Sequence, residues 1–140
     1  MKNVLFLCTG NSCRSQMAEG WAKSLISDTY LFHSAGTKKS QINPLAKKVM
    51  NEVNVDISDQ FSKTVDELPD ATMDFIITLC SDADENCPVF PGGKILHVPF
   101  PDPPRLTSEM TDEEQILEIY RKVRDDIKTF ILELPKKIEL

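Results

Sequence analysis

The sequence predicts an α/β fold with a four-stranded parallel sheet covered by helices on both faces. Three observations point there. Short apolar runs without alternation, such as "NVLFL" and "DFIITLC", read as strands buried on both faces. Stretches with helical apolar spacing stand between them, the alternation that builds parallel sheets. Two of the runs end on a cysteine, Cys8 and Cys80, and a third leads into "PFPDPP". Chemistry therefore gathers at the carboxyl ends of the strands, where open sheets of this class bind ligands.

Residues 3–7 form the first strand. "SQMAEGWAKSLI" follows as a helix, with Met17, Ala18, Trp21, Ala22 and Leu25 on one side and Ser15 at the N-cap or in the first turn. "YLFHSAG" is a second strand, ended by Gly36. "NPLAKKVMNEV" opens with Asn43 as cap and Pro44 at the first helical position, a strong start signal. A short helical piece is expected in "VDELPDA", then the strands "DFIITLC" and "KILHVPF". The longest helix spans "TDEEQILEIYRKVRDDIKTFILEL", with Ile116, Ile119, Tyr120, Val123, Ile127 and Ile131 on its apolar face, and is expected to stop before Pro135. No repeat, low-complexity tract or linker interrupts residues 1–140, which read as a single domain.

Composition narrows the function. With 41% hydrophobic and 27% charged residues the chain is of the globular class. No apolar run approaches the roughly 20 residues of a membrane span, and the N-terminal run is too short for a secretory signal. A cytoplasmic location is expected, with no membrane partner. Reducing surroundings keep the four cysteines as thiols, so they point to catalysis, metal or core rather than to a disulfide framework. A net charge of −6 without a basic patch argues against nucleic acid.

The stretch "CTGNSCRS" carries the chemistry. A strand feeding a helix through this loop turns several backbone N–H groups inward, and the helix adds the positive end of its dipole. Thr9, Gly10, Asn11, Ser12, Cys13, Arg14 and Ser15 would cradle a tetrahedral oxyanion, with Arg14 as a planar two-point donor. The same field favours the ionised sulfur of Cys8 and makes it a nucleophile, with Ser15 donating to it. Cys13 is expected to contribute packing and its N–H. Asp102, before Pro103, stands on the same rim; from its spacing alone it is equally a proton donor or the start of a turn.

"CTGNSCRS" followed by "QMAEGW" resembles the low-molecular-weight protein tyrosine phosphatase superfamily, most closely its thioredoxin-coupled arsenate reductase branch. The likeness extends through "SAG" at Ser34–Gly36, "NP" at Asn43–Pro44, "TLCSDADENCP" from Thr78 and "DP" at Asp102–Pro103. It implies a doubly wound sheet of four parallel strands, Cys8 as nucleophile, Arg14 as oxyanion clamp and Asp102 as general acid. It also implies a relay: Cys8 attacks arsenate, Cys80 attacks Cys8 and expels arsenite, and Cys87 attacks Cys80. The Cys80–Cys87 disulfide is then reduced by thioredoxin or a similar dithiol. No cofactor or metal is implied.

Were residues 80–87 helical, their ends would lie about 10 Å apart along the axis, too far for a disulfide. Oxidation is then expected to move the segment outward. Zinc held by Cys8, Cys13, Cys80 and Cys87 is disfavoured by spacings of C-x4-C and C-x6-C.

A tyrosine phosphatase and a non-catalytic thiol redox sensor are the alternatives. Against the phosphatase, no aromatic follows Asp102–Pro103, where Pro104, Arg105 and Leu106 stand, and "TKKSQIN" carries none. In some relatives Asn11, Glu19, Ser34 and an aspartate hold a potassium ion; here Lys63 takes the aspartate's place, and its ammonium either pairs with Glu19 in place of the cation or is simply solvated. The acidic "PPRLTSEMTDEE" has no explanation in the sequence.

Overall fold

A computed structural model describes residues 2–28, 30–68, 73–79 and 93–138 of the protein. Four strands, β1 (Lys2–Cys8), β2 (Tyr30–Gly36), β3 (Phe75–Thr78) and β4 (Lys94–His97), form one sheet in the order β2-β1-β3-β4. Every pairing is parallel, and the register sets Cys8 beside Gly36, Leu7 beside Thr78, and Thr78 beside His97. The chain leaves β1 toward β2 on one side and later fills the other side with β3 and β4. The sheet is doubly wound, and its order reverses beside the carboxyl end of β1, where such folds open a crevice.

β1 is central, which explains why its sequence is apolar throughout. Val4, Phe6 and Cys8 face a large core shared with α1 (Arg14–Leu25), α2 (Pro44–Glu52) and α4 (Glu113–Ile138). Leu5 and Leu7 face the other way, onto Ala35, Met73 and Ile76, with Val65 of the 3₁₀ turn Val65–Glu67 and Leu68 alongside. α2 begins as its cap predicts: the Asn43 side chain accepts from the N–H groups of Leu45 (2.8 Å) and Ala46 (3.3 Å), with Pro44 next.

α1 differs from a one-sided amphipathic helix. Residues 14–22 are buried without a break, Gln16, Glu19 and Gly20 included, whereas Leu25 is exposed. Gly20 makes this possible, because a Cβ there would stand 2.6 Å from Ile57 Cγ2. The segment around Val55 and Ile57 thus closes against α1 at Gly20.

Two helix boundaries correct the sequence reading. The "PFPDPP" stretch is not all loop: a single helical turn, α3 (Pro103–Leu106), starts after Asp102. Pro103 and Pro104 fit because the first N–H groups of a helix have no partner within it. α4 does not stop before Pro135 but runs through it to Ile138. A proline inside a helix costs about 3 kcal/mol. Ile138, which only a helix continued past Pro135 can bury, is 2% exposed, and its burial contributes about 1.5–3 kcal/mol, which offsets much of that cost. The apolar face is correspondingly longer than the periodicity shows, adding Leu117, Phe130, Leu134 and Ile138.

The acidic segment before α4 also finds a reason. Asp112 caps the helix, its carboxylate accepting from Gln115 N–H (3.1 Å), and Glu113 and Glu114 occupy the first turn, where negative charge suits the dipole. Among the described residues no helix is long and apolar enough to cross a membrane. Because the end of α4 is held by burial, Ile138→Ala should lower stability by about 2–4 kcal/mol in chemical denaturation. A change within error would show that the turn beyond Pro135 is not docked.

Candidate active site

The loop from Cys8 to Arg14 closes around a cavity of about 210 Å³, lined by Cys8, Thr9, Gly10, Ser12, Cys13, Arg14, Asp102 and Pro104. Five of the seven predicted oxyanion positions reach it. Asn11 and Ser15 lie behind it, both 0% exposed. The structure therefore brings Cys8, Arg14 and Asp102 to one small space, drawn from β1, the start of α1 and the segment after β4.

Cys8 sits in a directed chain of hydrogen bonds. Lys63 N–H donates to Asn11 Oδ1 (2.9 Å), which fixes the amide so that Nδ2 donates to Ser15 Oγ (2.8 Å). Ser15 Oγ keeps its own proton available for Cys8 Sγ at 2.9 Å. Asn11 takes a left-handed backbone, φ 47°, which asparagine tolerates better than most residues.

Arg14, 3% exposed, is held by the ends of two other segments. Its Nη1 donates to Leu79 O (3.2 Å) and Phe100 O (3.1 Å), and its Nη2 lies 3.7 Å from Asp102 Oδ2. The Asp102 side chain makes no cap bond to α3 and faces the guanidinium instead. At the Cys13 cap of α1 no side-chain cap bond is made, leaving the first N–H groups directed to the cradle.

The loop is braced from behind by residues that the spacing did not mark. Thr9 O accepts from Thr37 N (2.9 Å), Lys38 N (3.2 Å) and Thr37 Oγ1 (2.9 Å), while Ser62 Oγ donates to Gly10 O (2.9 Å). Gln16 Nε2 donates to Asn11 O (2.9 Å) and Phe61 O (3.0 Å). Gly36 is required at the sheet end, since a Cβ would fall 2.6 Å from Thr9 O and 2.7 Å from Asn11 N. Thr9 Oγ1 is buried without a hydrogen-bond partner among the described residues. A hydroxyl of this kind on the cavity wall is a donor for an arriving oxyanion. Only the tertiary fold reveals these braces; Ser62 and Lys63 meet the loop from 52 positions away.

Cys13 is 4% exposed. Burial, and then the neighbouring charge of Cys8, hold its thiol well above the usual range. Cys80 and Cys87 lie outside the described residues, as does the expected movement of residues 80–87. Leu79, immediately before Cys80, donates from its N–H to Leu7 O (2.8 Å), one residue from Cys8.

Glu19 and Lys63 test the cation site that the resemblance raised. Glu19 Oε1 accepts from Ser34 Oγ, Oε2 accepts from Lys23 Nζ (2.5 Å), and Lys63 Nζ stands 4.0 Å from Oε1. Asn11 Oδ1 is already occupied by Lys63 N–H. The oxygens a potassium ion would need are satisfied by the chain's own donors, and a fixed ammonium faces them. These residues do not fit a resident cation. Burial pulls the Lys63 ammonium below the usual lysine range, with Glu19 opposing that shift.

A strand-loop-helix that wraps an anion cradle around a buried cysteine defines a cysteine-based oxyanion-handling domain. The comparisons make the class specific. Residues 3–139 match the family model described as low molecular weight phosphotyrosine protein phosphatase, and the chain belongs to that family. An arsenate reductase of Halalkalibacterium halodurans is 46% identical over 134 residues, covering 92% of this chain and 94% of that protein. A solved arsenate reductase in a phosphate-binding state superposes with a TM-score of 0.74 at 32% identity, covering 99% of both chains. The thioredoxin-dependent arsenate reductase of Corynebacterium glutamicum gives 0.70 at 29% identity, covering 99% of this chain and 62% of that one.

Two outcomes follow from this geometry. Turnover should be the same in sodium and potassium buffers, and Lys63→Met, which keeps the backbone bond to Asn11, should lower it. A marked potassium requirement in the unaltered protein would contradict the fit. In a Cys80→Ser/Cys87→Ser protein, iodoacetamide at neutral pH should label Cys8 and spare Cys13 in peptide mass analysis. Equal labelling would contradict the shielding of Cys13.

Proposed function

We propose that the protein reduces arsenate to arsenite, using Cys8 as nucleophile, Arg14 as oxyanion clamp, Asp102 as proton donor and Cys80 and Cys87 as the second and third thiols. The observation that carries this reading is the hydrogen-bonded Cys8 at the floor of an anion cradle, in a chain similar to arsenate reductases along nearly its full length. Among the described residues no aromatic side chain lines the cavity. That suits an inorganic tetrahedral anion better than a phosphotyrosine ring. Phe61 is well exposed but lines a different cavity, beside Glu19 and Lys63.

Arsenate enters the cradle with its charge against Arg14 and the amides of the loop. The Cys8 thiolate attacks arsenic; a sulfur–arsenic bond forms and an arsenic–oxygen bond breaks. The departing oxygen takes the Asp102 proton and leaves as water. Cys80 thiolate then attacks Cys8 Sγ. A Cys8–Cys80 disulfide forms, the sulfur–arsenic electron pair stays on arsenic, and arsenite departs at the lower oxidation state. Cys87 thiolate attacks Cys80, releasing Cys8 as thiolate. Thioredoxin, or a similar dithiol, reduces the Cys80–Cys87 disulfide and supplies the two electrons of each cycle.

The test is a steady-state assay with arsenate, thioredoxin, thioredoxin reductase and NADPH. NADPH oxidation that depends on arsenate is expected. Cys8→Ser and Cys80→Ser should form no arsenite, while Cys87→Ser should release one arsenite per chain and then stop. Continued turnover by Cys87→Ser would overturn the order of the relay. Efficient phosphate release from phosphotyrosine peptides, without arsenate-dependent NADPH oxidation, would make the protein a phosphatase. Thiol oxidation without turnover would make it a redox sensor. Weak hydrolysis of aryl phosphates is expected in any case, because the cradle and acid serve both reactions.

A further inference from the structure

Five consecutive carbonyl oxygens of the anion loop are each taken by a donor from outside the cavity. Thr9 O accepts from Thr37 N–H, Lys38 N–H and Thr37 Oγ1, Asn11 O from Gln16 Nε2, Ser12 O from Asn43 N–H and Cys13 O from Met17 N–H. Gly10 O accepts from Ser62 Oγ (2.9 Å), its single bond among the described residues. None of these donor residues lines the cavity. A planar trans peptide points its N–H opposite to its C=O. Carbonyls held outward therefore keep the N–H groups of residues 10–14 on the inner side of the loop, as an anion site requires.

The Gly10–Asn11 peptide is the weak member of this series. Glycine leaves the rotation on one side of it unrestrained. On the other side Asn11 is held at φ 47°, a left-handed value that costs energy even for asparagine. Turning the peptide over would return Asn11 to negative φ and swing Gly10 O toward the cavity that Gly10 lines. A carbonyl oxygen there would face an anion with its negative end. The Ser62 hydroxyl opposes that rotation. Ser62 is 4% exposed, and its Oγ accepts from Ser40 N–H (2.8 Å), so a second bond fixes the hydroxyl itself. Thr9 O, by contrast, keeps two backbone donors when its side-chain bond is lost, and Ser12 O and Cys13 O are held by backbone N–H groups. We infer that the Ser62 hydroxyl is a positioning group that sets the affinity of the cradle, by holding the Gly10 carbonyl out of it. This inference rests on the reading of the loop as an oxyanion site.

Ser62→Ala, titrated with inorganic phosphate, tests this. The dissociation constant of phosphate, read by amide NMR, should rise about tenfold, the scale of one hydrogen bond to a charged group. KM for arsenate should rise by a similar factor while kcat stays within about twofold, since ground and transition states lose the same binding. The Asn11 amide signal should report the cause. In Ser62→Ala it should split or shift before phosphate is added, and approach the wild-type bound position at saturation. Thr37→Val, which leaves Thr9 O two donors, should keep the wild-type phosphate affinity. Ser62→Cys keeps nearly the same volume but donates weakly; it should lie between, and it carries the test should Ser62→Ala not fold. Unchanged phosphate affinity, an unmoved Asn11 signal, a loss in kcat alone, or an equal loss in Thr37→Val would overturn the inference. So would an unaltered protein that binds no phosphate. Should the unaltered protein bind phosphate but show no arsenate-dependent turnover, the proposed function fails by itself, and the phosphate titration still decides the role of Ser62.

Discussion

A buried guanidinium organises this protein. Arg14 is almost wholly removed from water, a placement that costs several kcal/mol unless its N–H groups and charge are met elsewhere. The fold meets them with the carbonyls of Leu79 and Phe100 and the carboxylate of Asp102. Those partners lie just beyond the carboxyl ends of β3 and β4, so the strand order β2-β1-β3-β4 is what brings them within reach of the first turn of α1. The arginine that would clamp a substrate thus also reports that the sheet has closed in the right order. Fold and site share one set of bonds.

Cys8 depends on a second polar arrangement, directed rather than merely close. A backbone N–H has no choice but to donate, so Lys63 N–H fixes which end of the Asn11 amide points to it, and hence which end points to Ser15. Ser15 Oγ, with that amide proton on one lone pair, keeps its own proton available to the sulfur. The segment that supplies this N–H is itself held to the end of β2, where Gly36 N–H donates to Lys63 O (2.9 Å). Polarity therefore passes from the sheet edge to the reactive atom through side chains that have no alternative pairing in the described residues. Substituting an isostere at Asn11 would preserve volume and lose that ordering.

What the sequence made legible follows from range. The strands and helix starts were readable because apolar runs, the Asn43–Pro44 pair and the "CTGNSCRS" loop are local signals. Cys8 was placed by the end of its strand and Arg14 by the start of the following helix, whereas Asp102, from spacing alone, read equally as the start of a turn and was marked by the resemblance. The end of α4 was misread because Pro135 is a local stop signal overridden by the burial of Ile138, a tertiary effect. Gln16 is a polar residue that no periodicity places inside, yet its side chain is bonded to Asn11 O and Phe61 O and is 0% exposed. Ser62 carried no pattern at all, and the resemblance marked Lys63 for its ammonium rather than for its backbone N–H. Their bonds to the loop span 52 residues, which periodicity cannot register.

The charge relations around Asp102 show how one carboxyl group would serve both states of the proposed cycle. The guanidinium of Arg14 stands 3.7 Å from the Asp102 carboxylate, so opposite charges face each other at the mouth of the loop. In the proposed reaction, an arriving oxyanion would carry more negative charge than the carboxylate and would meet Arg14 from inside the loop. Its field would then oppose a negative charge on Asp102 when a proton is needed on the departing oxygen. Asp102 would thus be prepared as proton donor by the substrate rather than stored in advance. An acid held permanently neutral would need an apolar enclosure, but the Asp102 side chain is 26% exposed and flanked by prolines. A partly wet carboxyl group that responds to the anion is the arrangement this geometry favours.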